Sequence, residues 1–299
     1  MVRCMRGHGS RVANHQMRYF PSMRRHAILP ARGTAIVNTD VHGNARDFKR
    51  LEKIWREARS VDPETYWLIL GDVVHAPDQD ARASVPELYD YPDGSMEIVA
   101  RIGELVAEDP EHVLFVLGNH DHGHVGGPHP AKFYDDEVVA LEANLGSADR
   151  AILHRVLGDA LLAVAAPCGV LFCHGSPNAA LADLRDLDVP DLTLSTMSPE
   201  TKRILKPLLS CYGQPDPVAK EMLGNVSKNA GLDLRVVVHG HDRDERGFFH
   251  EGTTQLCPVI FGAPRANKRY VRLDLGARYE NAQALREDAE ILRLYAQAT

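Results

Sequence analysis

Short apolar, β-branched runs recur along the chain, and five of them stop abruptly at side chains that carry oxygen or imidazole. Thr34–Thr39 runs into Asp40, Val41 and His42, and Tyr66–Leu70 runs into Gly71 and Asp72. Val113–Leu117 closes in Gly118, Asn119, His120 and Asp121. Gly169–Cys173 closes in His174, and Arg235–Val238 in His239, Gly240 and His241. Runs of this length bounded by turn residues predict strands buried on both faces. A buried strand ending in ligand-type side chains carries a desolvation cost that a bound group can offset.

Between these runs the period changes. Ala45–Ser60 places Phe48, Leu51 and Trp55 on one helical stripe, and Met96–Ala107 does the same with Met96, Val99, Ile102 and Val106 before Pro110. A further helix is predicted at Asp135–Leu145, and an amphipathic terminal helix at Glu280–Gln297. Ala160–Ala166 should pair with Gly169–Cys173 through Pro167 and Cys168, and Gln255–Phe261 and Tyr270–Leu275 read as late strands. The Asp-, Pro- and Tyr-rich stretch 76–95 reads as a surface insertion, and 178–228 as a variable, cap-like region. Strands that alternate with helices early and pair with one another late predict an α/β fold with two mixed sheets.

The ends differ from the middle. The first 39 residues contain no acid and scatter Arg3, Arg6, Arg11, Arg18, Arg24, Arg25 and Arg32 among polar neighbours. Residues 1–32 therefore read as a basic, disordered extension, with Met17 or Met23 as alternative starts. Residues 33–279 form the expected domain, and 280–299 the terminal helix.

Composition narrows the function. A formal charge of −7 disfavours a nucleic-acid backbone as partner. Five cysteines without C-x-x-C spacing fit free thiols in a reducing cytoplasm. No apolar stretch approaches the roughly 20 residues that span a bilayer, so no membrane partner is expected. What remains is the polar set at the strand ends. Imidazoles, carboxylates and an amide without thiolate suit hard or borderline divalent ions, Mn first and Fe or Zn next. Some seven ligands exceed what one ion takes, so two ions sharing a carboxylate is the natural arrangement.

In chain order, Asp40-Val41-His42-Gly43-Asn44, Gly71-Asp72-Val73-Val74-His75, Gly118-Asn119-His120-Asp121, Cys173-His174-Gly175-Ser176-Pro177 and His239-Gly240-His241 resemble the calcineurin-like metallophosphoesterase superfamily. Its motifs run D-x-H, G-D-x-x-D, G-N-H-D/E, H and G-H. Leu171–Pro177, Leu232–Gly252 and Phe261–Tyr270 extend the likeness toward the phosphoprotein phosphatase (serine/threonine phosphatase) branch. Coverage is about Gly33 to Tyr279.

The resemblance implies a sandwich of two mixed β-sheets flanked by helices, with two metals at its lip. Asp40 and His42 would hold the first metal, Asp72 would bridge, and Asn119 and His174 would hold the second. Of the H-G-H pair, His241 matches the phosphatase-branch ligand, whereas the wider superfamily uses both histidines, which leaves His239 on the second metal and His241 on the first. The implied chemistry is in-line attack by a metal-bridging hydroxide, with His120 as general acid and Asp121 as a candidate orienting group.

Departures from the family bear on substrate. His75 stands where the branch has the aspartate that orients the acid, and Ala76 where it has a phosphate-gripping arginine. The second expected arginine, within Asp216–Asn225, is also missing, and Lys220 is the cation there. Arg243, Arg265 and His75 are candidate substrate contacts instead, and His122, His124 and His129 line a neighbouring loop. The expected substrate is a phosphoprotein or small phosphomonoester. A phosphodiester or dinucleoside polyphosphate, or a metal-binding regulatory role without turnover, are the alternatives. A serine hydrolase built on Ser176 lacks the G-x-S-x-G elbow.

Overall fold

The computed structural model describes residues 24–296. Among them, eleven strands form two mixed sheets. The first contains β2 (Thr34–Asn38), β3 (Thr65–Leu70), β4 (Val113–Val116), β10 (Arg269–Asp274) and β11 (Ile291–Arg293), in the order β11-β10-β2-β3-β4. The second contains β1 (His26–Ile28), β5 (Ala163–Ala166), β6 (Val170–Phe172), β7 (Val236–Val238), β8 (Phe248–Glu251) and β9 (Gln255–Pro258), in the order β1-β5-β6-β7-β9-β8. The sandwich expected from the sequence is the observed architecture.

Alternation along each strand sends residues to opposite faces. Ala35, Val37, Leu68, Leu70, Val164, Phe172, Val236 and Val238 form the core between the sheets. Ile36, Trp67, Ile69, Val113 and Phe115 face the other way, against Phe48, Leu51 and Trp55 of the helix Ala45–Val61 and Ile98 and Ile102 of the helix Ser95–Glu108. Trp67 is fully buried between Phe48 and Trp55, with ring centroids 5.2 and 5.7 Å away, and its indole N–H donates to Asn38 Oδ1 at 2.7 Å. A buried aromatic of this kind contributes about 1.5–3 kcal/mol. Strands with two buried faces explain the uninterrupted apolar runs.

β2, β3 and β4 run parallel, as do β6 and β7, so their carboxyl ends collect at one edge of the sandwich. Ligands gather at such an edge in open α/β sheets. The end of β2 shows how it is shaped: Asp40 N–H donates to the Gly71 carbonyl at 3.1 Å, and His42 N–H to that of Asp72 at 2.9 Å.

Several sequence expectations need correction. Residues 24–32 are not part of a disordered extension: β1 pairs parallel with β5, Arg25 and His26 are buried, and the Arg25 guanidinium donates to three backbone carbonyls. The remainder of that extension, including Met17 and Met23, lies outside the described residues. Residues 280–296 are not a helix. A 3₁₀ turn at Ala282–Ala284 leads to β11, which pairs antiparallel with β10. Asp288 adopts φ +61°, which no right-handed helix accommodates, and Ile291 is better buried against the open edge of β10 than on a solvent-facing helix.

The stretch 76–95 carries two short helices, Gln79–Ser84 and Pro86–Tyr89. Asp78 caps the first, and Asp93 holds the amide and hydroxyl of Ser95. The helix Ser147–Gly158 has no counterpart in the sequence reading, and the cap-like region resolves into the helices Pro199–Ser210 and Asp216–Ala230. Among the described residues, no helix is long and apolar enough to cross a membrane.

Candidate metal centre

Backbone strain marks the edge where the strands end. Among the described residues, six non-glycine residues have positive φ, and five of them are Asp40, His42, Asp72, His75 and His241. Left-handed conformations of this kind cost of order 1–3 kcal/mol each and persist where surrounding structure enforces them. Here they turn the side chains inward.

Asp40, His42, Asp72, Asn119, His120 and His241 line one cleft of about 730 Å³. Within it, ligand atoms converge in two groups that share a residue: His42, Asp72 and His120, and Asp72, His174 and His241. Asp72 Oδ2 lies 3.6 Å from His42 Nε2 and 3.4 Å from His174 Nε2. These separations exceed an ordinary hydrogen bond and match two donors facing a common ion. Asn119 Oδ1 meets His174 Nε2 at 3.0 Å and His241 Nδ1 at 2.7 Å. Asp40 enters neither group; its carboxylate accepts the His241 amide at 3.0 and 3.2 Å on the cleft wall.

Of the H-G-H pair, the structure brings His241 to Asp72 and His174, with Tyr212 stacked on its ring at 4.8 Å. His239 is fully buried outside both groups; its Nδ1 faces the Gly240 carbonyl at 2.9 Å and its Nε2 has no hydrogen-bond partner among the described residues.

The charges at the site call for a cation. Burial, with Asp72 nearby, raises Asp40 to about 6, although His174 opposes it. Against the penalty of full burial, Asp72 and Asp40 raise His174 to about 10. Asp72, also penalised by burial, is held well below its ordinary value by His174 and His120. Among the described residues no arginine or lysine bonds to either carboxylate, and His174 is the cation that faces both, at the place where a bound metal ion would supply the charge instead. Imidazole, carboxylate and amide donors around one shared carboxylate therefore fit a pair of divalent ions.

His120 sits on the cleft wall with its amide donating to Asp72 Oδ1 at 2.9 Å. Its Nδ1 lies 2.8 Å from Glu137 Oε2, which leaves Nε2 as the nitrogen available to the cleft. Glu137 was not legible as a site residue: it opens a short helix, and no motif marks it. Asp121, the expected orienting group, does something else. Its oxygens accept the amides of Asp72, Val73 and Gly118 at 2.8, 3.0 and 3.0 Å, so the carboxylate pins strand ends together and is turned away from the His120 ring nitrogens.

The substrate-contact expectations fare unevenly. Arg243 lines the cleft, with its guanidinium 3.3 Å from the Tyr89 hydroxyl. Arg265 does not; its guanidinium stacks 3.5 Å over the Tyr295 ring, where cation–π attraction holds it. His75 is buried behind His120 and lies outside the cleft, because its left-handed backbone turns it toward Glu137. Lys220 pairs with Asp216 on its own helix. His122 and His124 are buried and bonded within the protein, and His129 pairs with Asp136.

The sequence reading missed Lys132. Its ammonium lies in the cleft, 4.3 Å from the Phe261 ring centroid, and burial followed by Arg243 pulls it down to about 8. Leu88 and Tyr89, from the stretch 76–95, with Tyr212 and Phe261 give the cleft apolar and aromatic walls beside the acids Asp242, Asp244 and Glu245. A lone lysine in a Pro- and Gly-rich loop carries no sequence signal of this placement.

Comparison with known proteins agrees with the geometry. A family model described as calcineurin-like phosphoesterase matches residues 34–243. A search of curated proteins returns no match. Among solved structures, a Saccharomyces cerevisiae protein serine/threonine phosphatase with similarity to human phosphatase PP5 aligns with TM-score 0.56 and 14% identity, covering 85% of this chain and 77% of that one. A cold-active protein-tyrosine phosphatase of a psychrophile, Shewanella sp., aligns with TM-score 0.52 and 12% identity, covering 86% and 82%. At these identities the likeness is one of fold.

Proposed function

Because this chain belongs to the calcineurin-like phosphoesterase family, and so to the metal-dependent phosphoric ester hydrolases, we propose that it is a phosphomonoesterase using two divalent cations. The shared position of Asp72 in two buried ligand groups carries this reading. One ion would be held by His42 and Asp72, with Asp40 beside them on the cleft wall, and the other by Asp72, Asn119, His174 and His241. Bound there, the ions supply a nucleophile at neutral pH and neutralise phosphoryl oxygens.

The chain's own side chains do the rest. Lys132 and Arg243, on the cleft wall, replace the missing arginines and hold the phosphoryl group by charge. Lys132 acts as a point charge and Arg243 as a fork, so the grip is less planar than a pair of arginines would give. His120 Nε2 protonates the departing alkoxide, while Glu137 holds Nδ1–H and stabilises the charged ring before transfer. Tyr89, Tyr212 and Phe261 favour a leaving group that can lie against an aromatic face, which suits aryl phosphates and phosphorylated side chains. Manganese is the expected ion, since oxygen donors mixed with imidazole suit it.

The test is hydrolysis of a generic aryl phosphate by the Mn-loaded protein, with phosphopeptides and dinucleoside tetraphosphates alongside. Turnover should be lost in Asp72→Asn and fall by about 10²–10⁴-fold in His120→Ala. Unchanged activity in both variants would remove the assignment.

A further inference from the structure

Behind His120, on the side away from the cleft, runs a buried line of side chains that the proposed chemistry leaves unused. His75 Nδ1 is 3.0 Å from His120 Nδ1, and His75 Nε2 is 2.9 Å from His124 Nε2. His124 Nδ1 is 2.8 Å from Oε1 of Glu142, which also meets Nε2 of the exposed His154 at 2.8 Å. The line therefore passes from the cleft wall to the surface through His75 and His124, both buried.

A neutral imidazole has one donor and one acceptor nitrogen, so imidazoles bonded in a row cannot choose their tautomers independently. The order is set at the outer end. Despite partial burial, Glu142 is held below its usual range by His124 and His154, so it is an ionised carboxylate that can only accept. His124 must then carry its hydrogen on Nδ1. Burial brings His124 down to about 4, so its ring is neutral and Nε2 is bare. His75 must in turn carry its hydrogen on Nε2. Burial lowers His75 as well, and its Nδ1 is left as a lone pair facing His120. His120 is obliged to donate from Nδ1 to His75 Nδ1, with Glu137 Oε2 2.8 Å from the same nitrogen.

We propose that Glu142, acting through His124 and His75, is a positioning residue that fixes the hydrogen of His120 on Nδ1. Glu137 alone does not settle the matter. Its Oε2 faces His120 Nδ1 at 2.8 Å and His75 Nδ1 at 3.3 Å, so a hydrogen on His75 Nδ1 would also reach it, at longer range, and free His120 to adopt the other tautomer. The imidazoles behind His75 remove that choice. The kinetic consequence rests on the reading of His120 as the general acid; the order of hydrogens does not.

The experiment is ¹⁵N-histidine NMR on the full chain loaded with zinc, using long-range ¹H–¹⁵N correlations to assign each tautomer. The expected result is Nδ1–H at His124 and His120 and Nε2–H at His75. An Nδ1–H tautomer at His75, or an Nε2–H tautomer at His124, overturns the proposal. In Glu142→Leu, His124 and His75 should change tautomer, and kcat should fall roughly 10-fold with KM unchanged, less than the full contribution of a general acid. Glu142→Gln, whose amide oxygen still accepts, should restore the wild-type order, and His129→Gln on the neighbouring loop should match wild type. Wild-type tautomers and kcat in Glu142→Leu would also overturn it. Should that variant fail to fold, the wild-type spectrum still decides. Expected tautomers in a protein that turns over no phosphoester would support the ordering and count against the proposed function.

Discussion

Gly118 presses so closely on Asp72 that a methyl group on its Cα would overlap both the amide nitrogen and Oδ1 of Asp72. The absence of a side chain at the end of β4 is thus what lets the neighbouring strand end bring its carboxylate to the centre of the site. Gly118→Ala should destabilise the fold by about 1–3 kcal/mol, as overpacking does. Apparent Mn affinity should fall more sharply, by roughly 10–100-fold, as when the support of a ligand is disturbed. Urea unfolding and metal titration on one preparation check both.

Two carboxylates near His120 should separate cleanly by phenotype. Glu137→Gln removes the charge facing His120 Nδ1, and kcat should drop by about 10²-fold with KM within a few-fold of wild type. Asp121→Asn weakens three hydrogen bonds to backbone amides, so its effect should fall on stability, about 1.5–3 kcal/mol. Steady-state kinetics with denaturant unfolding distinguish the two. Equal kinetic losses without a stability change in Asp121→Asn would reverse the assignment of roles.

Lys132 gives the reaction an alkaline limb. Burial and Arg243 lower its ammonium to about 8, while Asp72, Asp40 and Glu137 oppose them. On the proposed role it is the charged form that grips phosphate; that form is lost as pH rises through 8, so kcat/KM should decline above that pH. Lys132→Met should raise KM at least ~10-fold at pH 7, the loss of one charge-assisted contact. Lys132→Arg keeps its charge and should abolish the decline. A pH profile of kcat/KM for the three proteins is sufficient.

Asp216 ties the helix Asp216–Ala230 to the turn before β9. Its carboxylate accepts the Thr253 amide and hydroxyl and the Thr254 hydroxyl at 2.7–3.0 Å. Although burial opposes it, these bonds from Thr253 and Thr254 hold the carboxyl below its ordinary range in the folded chain. The stabilisation is therefore present above the unfolded value, about 3.9, and is lost as pH falls toward the folded one. Asp216→Asn should cost about 1–2 kcal/mol at pH 7 and progressively less below pH 4, which unfolding at the two pH values would reveal.

The sequence disclosed the parts of the molecule that obey simple periods. Strands buried on both faces leave uninterrupted apolar runs, so β2, β3, β4, β6 and β7 and the ligand-type residues at their ends were visible before any coordinates. The helix Ala45–Val61 was visible through its stripe and Trp55. The rest depends on contacts between distant segments. β11 has helical composition and becomes a strand because β10 offers an edge. Lys132 reaches the cleft from a loop without periodicity, and Glu137 meets His120 from the first turn of the helix Glu137–Glu142, whose periodicity says nothing about what lies against it. Asp121 shows the opposite failure: adjacency to His120 in the chain says nothing about direction, and the short turn at Asn119–His122 points its carboxylate at backbone amides.

The proposed ligand residues come from both layers of the sandwich: Asp40, Asp72 and Asn119 follow strands of one sheet, and His174 and His241 follow strands of the other. An ion held by Asp72, His174 and His241 together would be a rivet through the seam, in mechanical parallel with the apolar core beneath it. The layers cannot part there without releasing it, so occupancy feeds directly into resistance to unfolding, by about 2.7 kcal/mol at a hundredfold excess over Kd. Chelation should accordingly lower Tm as well as halt turnover, and scarcity of the metal would leave an enzyme both idle and easier to degrade.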